Sequence, residues 1–76
     1  MTVFRAGDRV SISCEGRTLA GTVALASPNG RSLVLEFEGL LGGYVGVMPV
    51  LEIAGVFLDL LQGRKVDVRR SQAGRE

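Results

Sequence analysis

Phe4-Arg5-Ala6-Gly7-Asp8-Arg9-Val10-Ser11-Ile12, followed by Gly21-Thr22-Val23, is the stretch that decides the fold. Gly7-Asp8 turns the chain. Val10, Ile12 and Cys14 then alternate with Arg9, Ser11 and Ser13. That period of two places apolar side chains on one face and polar ones on the other, which predicts a half-buried strand over 8–14. Glu15-Gly16-Arg17 reverses the chain, and a second strand is expected over 18–26. Gly21 within it is read as a bulge or bend where the strand curves sharply.

The same punctuation continues. Pro28-Asn29-Gly30 is a strong turn signal, because proline presets one turn dihedral and Asn-Gly tolerates positive φ. The third strand is predicted over 32–38, with Leu33, Leu35 and Phe37 on one face and Val34, Glu36 and Glu38 on the other. Residues 39–43 read as a mobile apolar loop, and 44–48 as a fourth strand. Pro49 is expected to end that strand, since proline cannot donate to a ladder. A single 3₁₀ turn over 49–51 and a short strand over 52–54 would follow. Residues 56–61 fit a strand better than a helical turn, because 64–69 alternates and Gln62-Gly63 makes a hairpin between them. That hairpin either extends the sheet or packs against another subunit. Residues 71–76 are expected to be disordered.

Seventy-six residues make one small domain, taken here as 1–70. Eleven glycines weigh against long helices. The chain is 46% apolar, generous for a domain whose core is limited by its size. Apolar patches left on a surface usually mark contacts, so homo-oligomerisation is expected. Net charge is +1, unevenly spread. Residues 1–63 carry four arginines against six acids, a net −2, while residues 64–76 carry five basic residues against two acids, a net +3. Arg5 and Asp8 interrupt the N-terminus before any apolar signal segment forms. The long apolar stretch 39–61 contains Glu52, Asp59, Pro49 and five glycines. Charges at mid-membrane depth are costly, so it suits strands and turns better than a span. A soluble, cytoplasmic protein is expected.

The missing residue types restrict the chemistry. There is no histidine, so Ser/His/Asp and Cys/His schemes and Cys/His metal sites are excluded. Cys14 is the only cysteine and lies on the inward face of its strand, where a thiol behaves as a small hydrophobe. Glu36 and Glu38 share a strand face and read as its solvated side rather than an acid/base pair. The glycines at 39, 42, 43 and 46 lack the following helix and lysine of a phosphate loop. The reading is therefore non-catalytic, with no cofactor and no metal.

The opening residues, with Gly16 and Gly21-Thr22-Val23, resemble the KOW-type segment of ribosomal and transcription-elongation proteins. Those are SH3-like barrels that bind RNA or proteins. Phe4-x-x-Gly7-Asp8-Arg9-Val10 together with Gly43-Tyr44-Val45-Gly46-Val47-Met48-Pro49-Val50 looks like the type II dihydrofolate reductases. Those are SH3-like barrels that form tetramers around a central pore. In that family a valine-glutamine-isoleucine-tyrosine run lines the pore; here those positions are Val45, Gly46, Val47 and Met48, and Ile12 stands at the pore lysine. The resemblance thus implies the barrel and oligomerisation, without the polar groups that hold cofactor and folate. The expected fold class is all-β: an SH3-like small β-barrel of about five strands with an extra C-terminal hairpin.

The leading functional expectation is an interaction module that binds a protein partner or itself through the apolar surface around residues 39–48, with Tyr44, Val47 and Met48 as contact residues. Tyr44 is read either as an exposed aromatic or as a cap on the core. The alternative is nucleic-acid binding, RNA in particular, through Arg64, Lys65, Arg69 and Arg70. The third reading is a reductase of the type II kind.

Overall fold

The computed structural model describes residues 3–71. Six strands follow one another: β1 (Arg9–Cys14), β2 (Arg17–Ala26), β3 (Ser32–Leu41), β4 (Tyr44–Ile53), β5 (Val56–Asp59) and β6 (Lys65–Arg70). Each pairs antiparallel with the next, and β6 pairs with β1, so the sheet closes into a barrel in sequence order. This all-β barrel is consistent with the SH3-like shape expected. The C-terminal hairpin is not an appendage, because β5 and β6 complete the wall. The expectation for residues 72–76 lies outside the described residues; Ser71 still donates to the carbonyl of Arg9 at 2.9 Å.

The inward alternation is the one the sequence predicts. Val10, Ile12 and Cys14 of β1 are buried, as are Leu33, Leu35 and Phe37 of β3. Met48, Val50 and Val66 face them from β4 and β6. Each fully buried aliphatic side chain contributes roughly 1.5–3 kcal/mol by leaving water.

Short loops make the meander possible. Glu15-Gly16, Gly42-Gly43 and Ala54-Gly55 are two-residue hairpin loops with φ positive at both positions, the geometry whose twist matches paired strands. Gly supplies the second position each time; Glu15 and Ala54 adopt φ of 53° and 54° despite their Cβ. At 27–31, Asn29 Oδ1 accepts from the Ser27 hydroxyl (2.7 Å) and from the Arg31 N–H (3.0 Å), which locks the predicted Pro-Asn-Gly turn.

Four expectations change. Residues 39–41 are strand rather than mobile loop, since β3 runs to Leu41 and pairs with Tyr44. The bulge in β2 falls at Ala24, between Val23 and Leu25, and not at Gly21. Gly21 instead permits a close approach: a Cβ there would lie 2.4 Å from the Glu36 carbonyl oxygen and 2.7 Å from Ile12 Cδ1. Pro49 does not end β4, which continues to Ile53 with no 3₁₀ turn. A residue's N–H and C=O point to the same side of a strand. The Pro49 carbonyl accepts from the Leu60 N–H (3.2 Å), just past the end of β5. The missing donor therefore falls where β4 has no strand beside it, an edge in effect.

Candidate interaction surface

Inward residues close both ends of the barrel. At one end, Asp59 is buried at the end of β5. Its carboxylate accepts from the Tyr44 hydroxyl (2.8 Å) and from the N–H groups of Gln62 (2.7 Å) and Arg64 (3.0 Å). Arg64 Nε lies 3.4 Å from Asp59 Oδ2, an ion-pair contact too poorly aligned to count as a hydrogen bond for that buried nitrogen. The rest of the Arg64 guanidinium pairs with Glu15 at 2.7 Å and donates to the Gly42 carbonyl. Burial alone would raise the Asp59 pKa. The Gln62, Tyr44 and Arg64 donors and the Arg64 charge outweigh it and bring the pKa down to about 2. Burial pushes the Tyr44 hydroxyl above its usual range, and it pushes the neighbouring Cys14 thiol up as well.

At the other end, the Phe4 ring meets Phe57 edge-on with centroids 6.0 Å apart. The Arg70 guanidinium sits 4.8 Å over the Phe4 ring. It also pairs with Asp8 at 2.7 Å and donates to the Val3 carbonyl. The Arg5 N–H, together with Arg70, holds the Asp8 carboxyl below its usual range.

These arrangements decide what the sequence-predicted site residues are available to do. Tyr44 and Met48 belong to the core, with 8% and 0% of their surface exposed. Tyr44 caps the core rather than standing out from it. Val47 alone of the three reaches the surface. The four basic candidates do not form one patch. Arg64 and Arg70 make their ion pairs at opposite ends of the barrel, with Glu15 and with Asp8. Lys65 and Arg69 are exposed on β6, and Arg69 lies 3.3 Å from Asp67.

The barrel wall carries a surface that sequence reasoning located only in part. Along β4, Val45, Val47, Leu51 and Ile53 all point outward and are exposed, with Pro49 half-buried between them. Cross-strand neighbours extend the strip. Leu40 lies opposite Val45 and Val34 opposite Pro49 on one side, and Leu58 lies opposite Leu51 and Val56 opposite Ile53 on the other. Leu25 joins beside Val34. It faces out because the bulge at Ala24 shifts the alternation by one residue, which moves the following side chains to the other face. Nine large apolar residues are exposed among the described residues, and none lies on β1 or β6. The alternation of 45, 47, 49, 51 and 53 was the signal available in the sequence, hidden by the expectation that Pro49 interrupts the strand.

Among the described residues, no helix is long and apolar enough to cross a membrane. Compared with known proteins, the chain matches no family model, no curated protein and no solved structure. The resemblances to KOW-type segments and to type II reductases gain no support there. The class established is a small closed six-stranded antiparallel barrel.

Proposed function

We propose that this barrel is a non-catalytic interaction module that associates with a second copy of itself through the outer face of β4 and its neighbours. The observation that carries the reading is the strip Val45, Val47, Pro49, Leu51 and Ile53, five consecutive outward positions without a charge. A strand rises about 3.4 Å per residue, so the strip runs roughly 27 Å. With β3 and β5 beside it, the strip approaches the size a specific interface uses. Apolar area on this scale is uncommon on a monomer and usually marks a contact. Its margins differ in sign. Glu36 and Glu38 stand on the β3 side and Lys65 on the far side of β5. A two-fold axis running along the strands lays the acidic margin of one copy toward the basic margin of the other.

Sedimentation velocity tests this reading. The wild-type protein is expected to dimerise at micromolar concentrations. The double variant Val45→Lys with Leu51→Lys, altered only at exposed positions, should remain folded and monomeric. A wild-type protein that stays monomeric at high concentration overturns the reading.

Nucleic-acid binding has less behind it, since Arg64 and Arg70 are engaged within the barrel. A reductase would need polar groups where Gly46 and Met48 stand.

A further inference from the structure

The barrel closes between β5 and β6 through only two opposed pairs, Phe57 with Val66 and Leu58 with Lys65. Beyond them the two strands diverge around a cleft of about 370 Å³ lined by Gly55 to Phe57 and by Lys65 to Arg69. The hydrogen-bond pattern explains the opening. The Asp59 N–H donates to the Arg64 carbonyl at 3.0 Å, which sets the phase of the ladder. Asp59 with Arg64 and Phe57 with Val66 are hydrogen-bonded positions, and Gly55 with Val68 would be the next. The Gly55 N–H instead donates to the Glu52 carboxylate at 2.8 Å. On its other side, Val68 stands opposite Ile12. The Ser71-to-Arg9 bond fixes that pairing as one in which Val68 exchanges no backbone bonds with β1. The N–H and C=O of Val68 therefore point into the cleft, with no backbone partner among the described residues.

We infer that this cleft is a docking site for an extended, acidic segment of a partner protein, which adds to the edge of β6 by backbone pairing with Val68. Backbone bonds to a free strand edge supply affinity in such additions, and alternate side chains supply selectivity. The partner residue opposite Val68 would share its inward face, where the Val68 and Phe57 side chains pack against the core, so it is apolar. The residues flanking it face outward, one opposite Arg69 and the other opposite Asp67, with Lys65 diagonal to the latter. Asp67 is held by Arg69 at 3.3 Å and Glu52, on the Gly55 side, by Arg31 at 3.5 Å, while Lys65 makes no ion pair among the described residues, so the β6 rim of Lys65, Asp67 and Arg69 is left with a positive charge. That charge selects acidic flanking residues.

Amide NMR on the intact protein tests the site in two stages. In the free protein the Val68 amide should exchange rapidly while the Val66 amide is protected. Equal protection of the two means a closed seam and overturns the proposal. A blocked peptide of alternating valine and glutamate should then shift the amides of Gly55, Phe57 and Val68 saturably. The same peptide with lysine for glutamate should not. Arg69→Glu, at an exposed position outside the self-association margin, should weaken the acidic peptide about tenfold while leaving shifts elsewhere unchanged. No saturable shift at these amides, or equal shifts with both peptides, overturns the proposal. So does a ten-residue oligothymidylate that moves these amides when the acidic peptide does not, and that result favours nucleic acid. Amides along β4 report the self-association separately.

Discussion

The two halves of the barrel wall are built alike on the inside and unlike on the outside. On β6, β1 and the part of β2 before its bulge, the outward positions include Arg9, Ser11, Ser13, Thr18, Thr22, Lys65, Asp67 and Arg69, and the hydroxyls of Ser13 and Thr18 bond across the strands at 2.8 Å; Leu25, past the bulge, belongs with the other half. In the β3–β4–β5 half, the outward positions are mostly valine, leucine and isoleucine. Both halves present the same apolar interior, so folding needs only what they share. The apolar exterior of the second half adds nothing to the core, which is why it reads as a contact surface.

That comparison breaks most completely at Asp59, which fastens the apolar half to β6. Asp59→Ala removes the acceptor for two part-buried N–H groups and the buried Tyr44 hydroxyl, and it takes the carboxylate away from the buried Nε of Arg64. A loss of about 3–5 kcal/mol is expected in chemical denaturation. A smaller break comes from the polar half. Gly21→Ala forces a methyl group against the Glu36 carbonyl and Ile12, and should cost about 1–3 kcal/mol, read as a lower denaturation midpoint. At the outer surface the halves should diverge in kind. Val45→Lys is expected to leave monomer stability within about 0.5 kcal/mol while abolishing self-association. Ser11→Lys, at a half-buried outward position on the polar half, should leave association intact. Sedimentation of both variants compares them directly.

The pH dependence sharpens the same point. The folded pKa of Asp59 lies below its unfolded value, at about 2. Its contribution is therefore fully present above the unfolded pKa, near 4, and is lost as pH falls toward 2. Denaturation midpoints should drop across that window, and the drop should shrink in Asp59→Asn. The smallest expected effect is a gain. Ala54 holds a positive φ of 54°, and Ala54→Asn should stabilise the hairpin by up to about 1 kcal/mol, seen as a raised thermal midpoint.

Much of the barrel could be read from local pattern. The alternation of Val10, Ile12 and Cys14, and of Leu33, Leu35 and Phe37, is a property of neighbouring residues, as is the Pro28-Asn29-Gly30 turn. What escaped reading depends on partners distant in sequence. Pro49 is tolerated because β5 ends at Asp59, a fact about another strand. Leu25 sits on the same side as Val23 by simple alternation, yet it faces out because β3 supplies one residue fewer than β2 at the bulge. Asp59, Tyr44 and Arg64 meet from three places in the chain. One local hint existed: Asp59 is the lone charge within Val56-Phe57-Leu58-Asp59-Leu60-Leu61, and a carboxylate in an apolar run usually has a buried partner. The basic residues of the tail show the same dependence, since Arg64 meets Glu15 and Arg70 meets Asp8 only in the closed barrel.

A ring of strands laid down in sequence order has no intrinsic first strand. Arg70 reaches both Asp8 and the Val3 carbonyl, so the two ends of the described chain lie side by side. A chain opened at Gly42-Gly43 and joined by a short linker from Ser71 back to Val3 would keep all six pairings while beginning at β4. In that permuted chain the pairing of β6 with β1, the one long-range closure of the present order, becomes a local hairpin, and the β3–β4 pairing takes over its role as the final closure. Because local pairings form faster than distant ones, such a rearrangement would rewrite the order of assembly without altering the finished barrel.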